Sequence, residues 1–196
     1  MIFLHEANDH TTYLPAESGQ DSVPSGLKSD IESTFIRSCL SIFRERKTIS
    51  QLFFCLVKKL GGLIDISKAV LAVSSSFDRS LKIVAAKGHR GSREGLAITL
   101  PKKNSLMYSV FFDKSIFVAN ELPPSVANFI ERRILLDGRI SSILIYPINH
   151  NDKTRGLFCL TSENGDDLTM FADGCLDCVM DRFGEKIDQE IKRTAI

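Results

Sequence analysis

Ser141-Ser-Ile-Leu-Ile-Tyr-Pro-Ile-Asn-His-Asn-Asp-Lys-Thr-Arg-Gly-Leu-Phe-Cys-Leu-Thr161 holds two short apolar runs around a polar link. Ile, Leu and Phe crowd both runs, and each is too short for an ordinary helix, so each reads as a buried strand. Residues 149–155 are polar throughout and open on Asn-His-Asn-Asp, which predicts a hairpin loop. Pro147 suits a place near a strand end, where no ladder donor is needed. Gly156 suits a tight exit from the loop.

Upstream, Ala69-Val-Leu-Ala-Val73 and Leu81-Lys-Ile-Val-Ala-Ala86 are two more β-type runs, and the turn-rich segment between them predicts an antiparallel hairpin. Gly88-His-Arg-Gly-Ser-Arg-Glu-Gly95 is polar and glycine-rich and reads as a loop. Residues 96–100 and 115–119 read as further strands. Between them Asn104-Ser105 can cap a short helix carrying Leu106, Met107, Val110, Phe111 and Phe112. Pro123-Pro124 opens a segment with Val126, Phe129, Ile130, Ile134 and Leu135 at helical spacing, stopped by Asp137-Gly138.

Helical patterns occupy both ends. Leu27, Ile31, Phe35, Cys39, Ile42 and Phe43 place an amphipathic helix over residues 27–47. Thr48 is a fitting cap for a second stretch with Ile49, Leu52, Phe53, Leu56, Val57 and Leu60, so the region is one long helix or two with a kink. Leu168, Phe171, Val179, Phe183, Ile187 and Ile191 mark a last helix, with Gly174 and Gly184 as interruptions. Residues 1–26 show no sustained periodicity and read as a flexible tail containing His5 and His10. That leaves 48–192 as the globular domain. Clustered strands with segregated helices predict an α+β fold on an antiparallel sheet.

Composition narrows the function classes. With 25 Lys plus Arg against 24 Asp plus Glu, the chain lacks the net basic surface used to coat nucleic acid or an anionic membrane. No apolar run approaches the roughly 18 residues of a membrane span, and Met1-Ile-Phe-Leu4 has no basic region before it, unlike a signal peptide. Five cysteines, an odd number, fit reduced thiols and a cytoplasmic location.

The order of these elements resembles the GAF domain, a sensor fold related to PAS, over roughly residues 47–187. The segment from Asn104 to Asn120 is similar to that family's short helix leading into an apolar strand. Ser142-Ile-Leu-Ile-Tyr-Pro-Ile148 is similar to its penultimate strand, and Arg155-Gly-Leu-Phe-Cys-Leu160 to its last. The glycine usual before the fourth strand is missing, with Lys114 in that region. The resemblance implies a central six-stranded antiparallel sheet, terminal helices on one face, and loops and short helices of residues 87–140 over a ligand on the other. It also implies a sensory or regulatory role, with dimerisation through terminal helices. Ligands in the family include cyclic nucleotides, tetrapyrroles, haem and small metabolites, and nothing in the sequence selects among them.

Candidate residues follow from that layout. Tyr108, Phe112 and Phe129 are expected to line an apolar cavity, with Asn120 or Ser142 as polar anchors. Arg133 is placed to point inward while its neighbour Arg132 stays in water. The loop bearing His89, Arg90 and Arg93 can hold an anion or be merely solvated. Catalytic and metal-binding roles are not expected. Residues 87–140 contain no cysteine, so they lack the nucleophile of free methionine sulfoxide reductases and the bilin attachment point of phytochrome-like members, and no cyclic-nucleotide pattern is found. Cys175-Leu-Asp-Cys178 reads either as small apolar residues on a buried helix face or as a redox-sensing pair, with Cys159 able to approach and His150 the nearest histidine in sequence. The apolar stripes of the two terminal helices extend past the expected domain edge and suit a homodimer bundle and a signalling partner protein. The alternative is a ligand-free dimerisation or adaptor module whose pocket is filled by its own side chains.

Overall fold

The computed structural model describes residues 25–75, 78–88, 91–120, 127–164 and 168–194, with side chains from residue 33 to 193 within them. The helical patterns at the start resolve into two helices, α1 (Ser25–Ser41) and α2 (Ile49–Leu60), joined through a 3-10 turn at Ile42–Arg44. Thr48 caps α2 in a reciprocal box, its side chain accepting from the Gln51 N–H while Gln51 accepts from the Thr48 N–H. Then come β1 (Lys68–Ser74), β2 (Leu81–Gly88), β3 (Gly91–Thr99), α3 (Leu106–Asp113), β4 (Phe117–Asn120), α4 (Phe129–Leu135), β5 (Ser142–His150), β6 (Lys153–Ser162) and α5 (Asp177–Thr194).

The strands form one six-stranded sheet in the order β3-β2-β1-β6-β5-β4, each neighbour antiparallel. Strands β1, β5 and β6 are buried on both faces, which is why their sequences read as continuous apolar runs rather than alternating ones. Side chains at successive positions still go to opposite sides. Leu144, Tyr146, Ile148, Phe158 and Leu160 join α2 and α5 in one core, whereas Ile143, Ile145, Leu157 and Cys159 join α3 in the other.

The β5–β6 hairpin is tighter than its polar sequence suggests. His150 pairs with Lys153, leaving a two-residue turn at Asn151-Asp152 with both φ angles positive, 48° and 58°. Those are the angles of the hairpin turn whose twist matches the strands. Gly156 therefore serves packing rather than the turn: a Cβ there would collide with the Ala72 carbonyl oxygen of β1. Gly184 has a similar role. It sits inside α5 without breaking it, because a Cβ would lie 2.5 Å from His150 Cβ where the helix crosses the hairpin.

Two other boundaries differ from expectation. β3 begins at Gly91, inside the glycine-rich segment read as a loop. It is an edge strand, mostly exposed, so it carries no apolar alternation to reveal it. The last helix begins only at Asp177, after a 3-10 turn at Thr169–Phe171 and a left-handed Gly174 with φ 77°. Of the tail read over residues 1–26, Ser25 and Gly26 belong to α1; its residues 1–24, the expected start of the α4 segment at Pro123-Pro124, His89 and Arg90 lie outside the described residues, as do the side chains of Leu27 and Ile31.

Candidate functional site

Helices α3 and α4 cover the sheet face opposite the terminal helices, and both are short, at 8 and 7 residues. Helices of that length are not stable alone, so something must hold them. Ser105 caps α3, its side chain accepting from the Tyr108 N–H at 3.0 Å. Asn128 caps α4 by accepting from the N–H groups of Ile130 and Glu131, both at 3.0 Å. Glu131 joins the two. Its carboxylate accepts from Leu106 N–H (3.1 Å), Met107 N–H (3.0 Å), Asn128 N–H (3.1 Å) and the Ser105 hydroxyl, and only 1% of the residue is exposed. A negative group thus sits on the positive N-terminal end of α3 with its hydrogen-bonding capacity filled by four donors.

Around this knot the face is packed with the chain's own side chains. Met107, Tyr108, Val110 and Phe111 lie against Val70, Ala72, Ile83, Ile143, Ile145 and Leu157, all buried. Tyr108 is anchored at its far end, where its hydroxyl oxygen accepts from the Leu81 N–H at 2.7 Å.

The expected site residues are therefore distributed rather than convergent. Tyr108 is interior, but Phe112 is 53% exposed and Phe129 67% exposed, so neither lines an enclosed cavity. Phe112 stacks on Tyr108 with ring centroids 5.9 Å apart, and the Arg79 guanidinium lies 5.9 Å from its centroid. Phe129 is the first residue of α4, at the outer end of that short helix. Arg133 is exposed like Arg132, because the inward face of α4 belongs to Glu131 and Leu135. Arg93 is exposed on β3 opposite Ala86. Asn120 and Ser142 face each other at the β4–β5 pairing, Asn120 exposed and Ser142 buried with its hydroxyl donating to Asn164 O at 2.9 Å. Sequence reasoning missed Glu131 as an organiser, although Asn128-x-x-Glu131 ahead of an apolar run is a capping-box signal.

The cysteines are also separated. Cys159 belongs to the core beneath α3, while Cys175 packs against the core on the other side of the sheet, so the last strand does not bring them together. Cys178 is exposed rather than part of a buried helix face, and Cys175 precedes α5. His150 turns away to pair with Asp181, Nδ1 to Oδ1, at 2.7 Å. Burial pushes the Cys39 thiol up to about 11 and raises that of Cys159 further. Among the described residues no three His, Cys, Asp or Glu side chains converge as a metal site.

On the helical face, the two ends of the chain meet. The Phe43 ring stands edge-on to Phe183 at 5.5 Å. The Glu190 carboxylate of α5 accepts the Ile49 N–H that opens α2, at 3.1 Å. Arg155 of β6 donates to Asp188 of α5 at 2.6 Å. Among the described residues no helix is long and apolar enough to cross a membrane.

A six-stranded sheet in this order, with terminal helices on one face and two short helices on the other, has close counterparts among solved structures. The chain has a GAF-like fold. The GAF domain of a phosphoenolpyruvate-protein phosphotransferase from Coxiella burnetii superposes with a TM-score of 0.65 at 12% identity, covering 84% of this chain and 97% of that one. The GAF domain of a two-component sensor histidine kinase from Bacillus halodurans gives 0.54 at 20% identity, covering 71% and 92%. fRMsr of Staphylococcus aureus, in complex with substrate, gives 0.60 at 12% identity, covering 80% and 95%. No protein-family model and no curated protein sequence matches the chain.

Proposed function

We propose that this chain is a sensory or regulatory domain that receives a small molecule and passes the change to a partner protein through the helices at its two ends, as a homodimer. The observation that carries the reading is the contact of α1 with α5 on one sheet face, with Phe35, Ile36 and Leu40 of α1 left only partly buried. An apolar helix face that one copy does not finish covering suits a second copy. GAF-fold neighbours such as the sensor histidine kinase support a regulatory role. Helix α5 is tied to α2 through Glu190 and to the β5–β6 hairpin through Asp181 and Asp188, so a displacement at the hairpin acts on the terminal helices.

Arg93, Phe112, Phe129 and Arg133 are the exposed groups by which a ligand would first meet the α3–α4 face, with Tyr108 behind them, whereas Asn120 and Ser142 alternate with Val118 and Leu144 onto the terminal-helix side. A catalytic role is not proposed, although fRMsr shares the fold, because residues 87–140 offer no cysteine nucleophile. The close packing under α3 and α4 favours a second reading, a dimerisation or adaptor module that binds no ligand on that face.

Sedimentation velocity on the wild type and on Phe35→Glu tests the proposal. The wild type should be a dimer, and the variant should be monomeric with an unchanged circular dichroism spectrum. A wild-type monomer at micromolar concentration would overturn the helix-bundle mechanism.

A further inference from the structure

Beside the C-terminal end of α3, a cleft of about 520 Å³ opens where the β5–β6 turn and the ends of β1 and α5 come together. Four cations line it, Arg79, Lys114, Lys153 and Arg155, against one carboxylate, Asp152. Such a concentration of one sign is notable in a chain whose charges otherwise balance at 25 to 24. Ser74, Ser75 and Thr154 add hydroxyls, and Phe111 and Ile191 an apolar wall.

The cations are held in place. Lys114 is the left-handed residue that ends α3, φ 57°, and its ammonium donates to Asp152 O at 2.9 Å. Asn149 braces the same corner, donating to Lys114 O at 3.4 Å and accepting from the Thr154 hydroxyl at 2.9 Å. Arg79 leans on the Phe112 ring, and neither it nor Lys153 has a carboxylate partner among the described residues. Arg155 is shared between uses: its Nη2 donates to Asp188, while its Nε is buried without a hydrogen-bond partner. Asp78, beside Arg79 in sequence, is held down to about 2 by hydrogen bonds from Ser80 and Ser75, so it stays ionised and already engaged.

We propose that this cleft binds a compact anion of the pyrophosphate or phosphate-ester class, carrying at least two negative charges. Its oxygens would take the guanidinium groups of Arg155 and Arg79 and the ammonium groups of Lys153 and Lys114. A cleft of this size admits a small phosphorylated molecule and not a nucleic acid strand, which needs an extended basic track. The anion competes with Asp188 for Arg155, so occupancy loosens the tie between β6 and α5. This consequence rests on the regulatory reading above, whereas the site rests on its own residues.

Isothermal titration of the full chain with pyrophosphate, at low ionic strength, tests the site. Saturable binding at one site per chain is expected. Lys153→Glu should weaken it at least roughly tenfold, as expected when a charge-assisted contact becomes a repulsion. Lys58→Glu, on an exposed position of α2, should leave it unchanged. Asp188→Asn should tighten it, since it removes the competitor for Arg155; a merely structural Asp188 would weaken it or do nothing. Absence of saturable heat, equal losses in Lys153→Glu and Lys58→Glu, or tighter binding of citrate or of a single-stranded oligonucleotide would each overturn the proposal. A wild-type dimer that ignores pyrophosphate removes the site and leaves the regulatory reading standing. A monomer that binds it keeps the site and removes that reading.

Discussion

The two faces of the sheet are covered by different physical means. On one, α2 and α5 are long enough to present whole apolar stripes, and hydrocarbon dominates the contact layer, with Phe53, Phe158, Phe171 and Phe183 fully buried beside the hydrogen bonds of Asp177, Asp181, Asp188 and Glu190. On the other, α3 and α4 are short, and a buried carboxylate stitches their N-termini together. A long amphipathic helix is stabilised by the area it buries, about 25 cal/mol per Å² of apolar surface. A two-turn helix buries too little, so its orphan N–H groups must find a specific partner. The first face thus draws its stability mainly from buried area, whereas the second depends on a few specific hydrogen bonds.

That contrast can be broken by mutation, starting with the strongest effect. Phe183→Ala should cost about 3–5 kcal/mol in urea unfolding, by leaving a cavity against Phe43. A loss under about 1 kcal/mol would mean that α5 is not seated as described. Glu131→Ala should cost about 3 kcal/mol, because it leaves several buried donors unsatisfied, and Glu131→Gln about half of that. Equal stabilities of the two variants would show that charge and geometry at Glu131 do not hold the stitched face. Gly156→Ala should cost about 1–3 kcal/mol through the clash with β1, measured as a lower urea midpoint.

A smaller effect, the pH dependence of the buried thiols, checks the burial on both faces. Cys39, on the helical side, has its thiol pushed from 9.0 up to about 11 by burial. Below pH 9.0 folded and unfolded chains both keep the proton. Above it the unfolded chain loses the proton first, so stability should decline between pH 9.0 and about 11. Cys39→Ala should lessen that slope in thermal melts without abolishing it, because burial also raises the Cys159 thiol. At pH 8, alkylation mapped by mass spectrometry should modify exposed Cys178 first and buried Cys39 and Cys159 last. The reverse order would contradict their placement.

The sheet was the most legible part of the sequence, because strands buried on both faces leave dense apolar runs that no helix of that length would show. Residues 142–148 and 156–160 announce themselves for that reason. β3 does not, since an exposed edge strand such as Gly91–Thr99 is selected for pairing and polarity rather than for burial. The candidate site was harder. The layout that the GAF resemblance implies puts Phe112 and Phe129 inward, but which face a short helix presents depends on where it starts. α4 starts at Phe129, which puts Glu131 and Leu135 inside and leaves Phe129 and Arg133 in water. Cys175 and Cys178 were paired on a helix that in fact begins at Asp177. The cationic cleft was illegible, because Arg79, Lys114 and Lys153 come from three separate turns that only the folded sheet brings together.

Amide hydrogen exchange, measured on the wild type at high and at low protein concentration, tests terminal-helix signalling most directly. If α1 and α5 form the output bundle of a dimer, amides of α1 and the exposed side of α5 should be protected at high concentration and open on dilution. Those of β5 and β6 should exchange slowly throughout. Helix α1 exchanging identically at both concentrations would contradict the bundle.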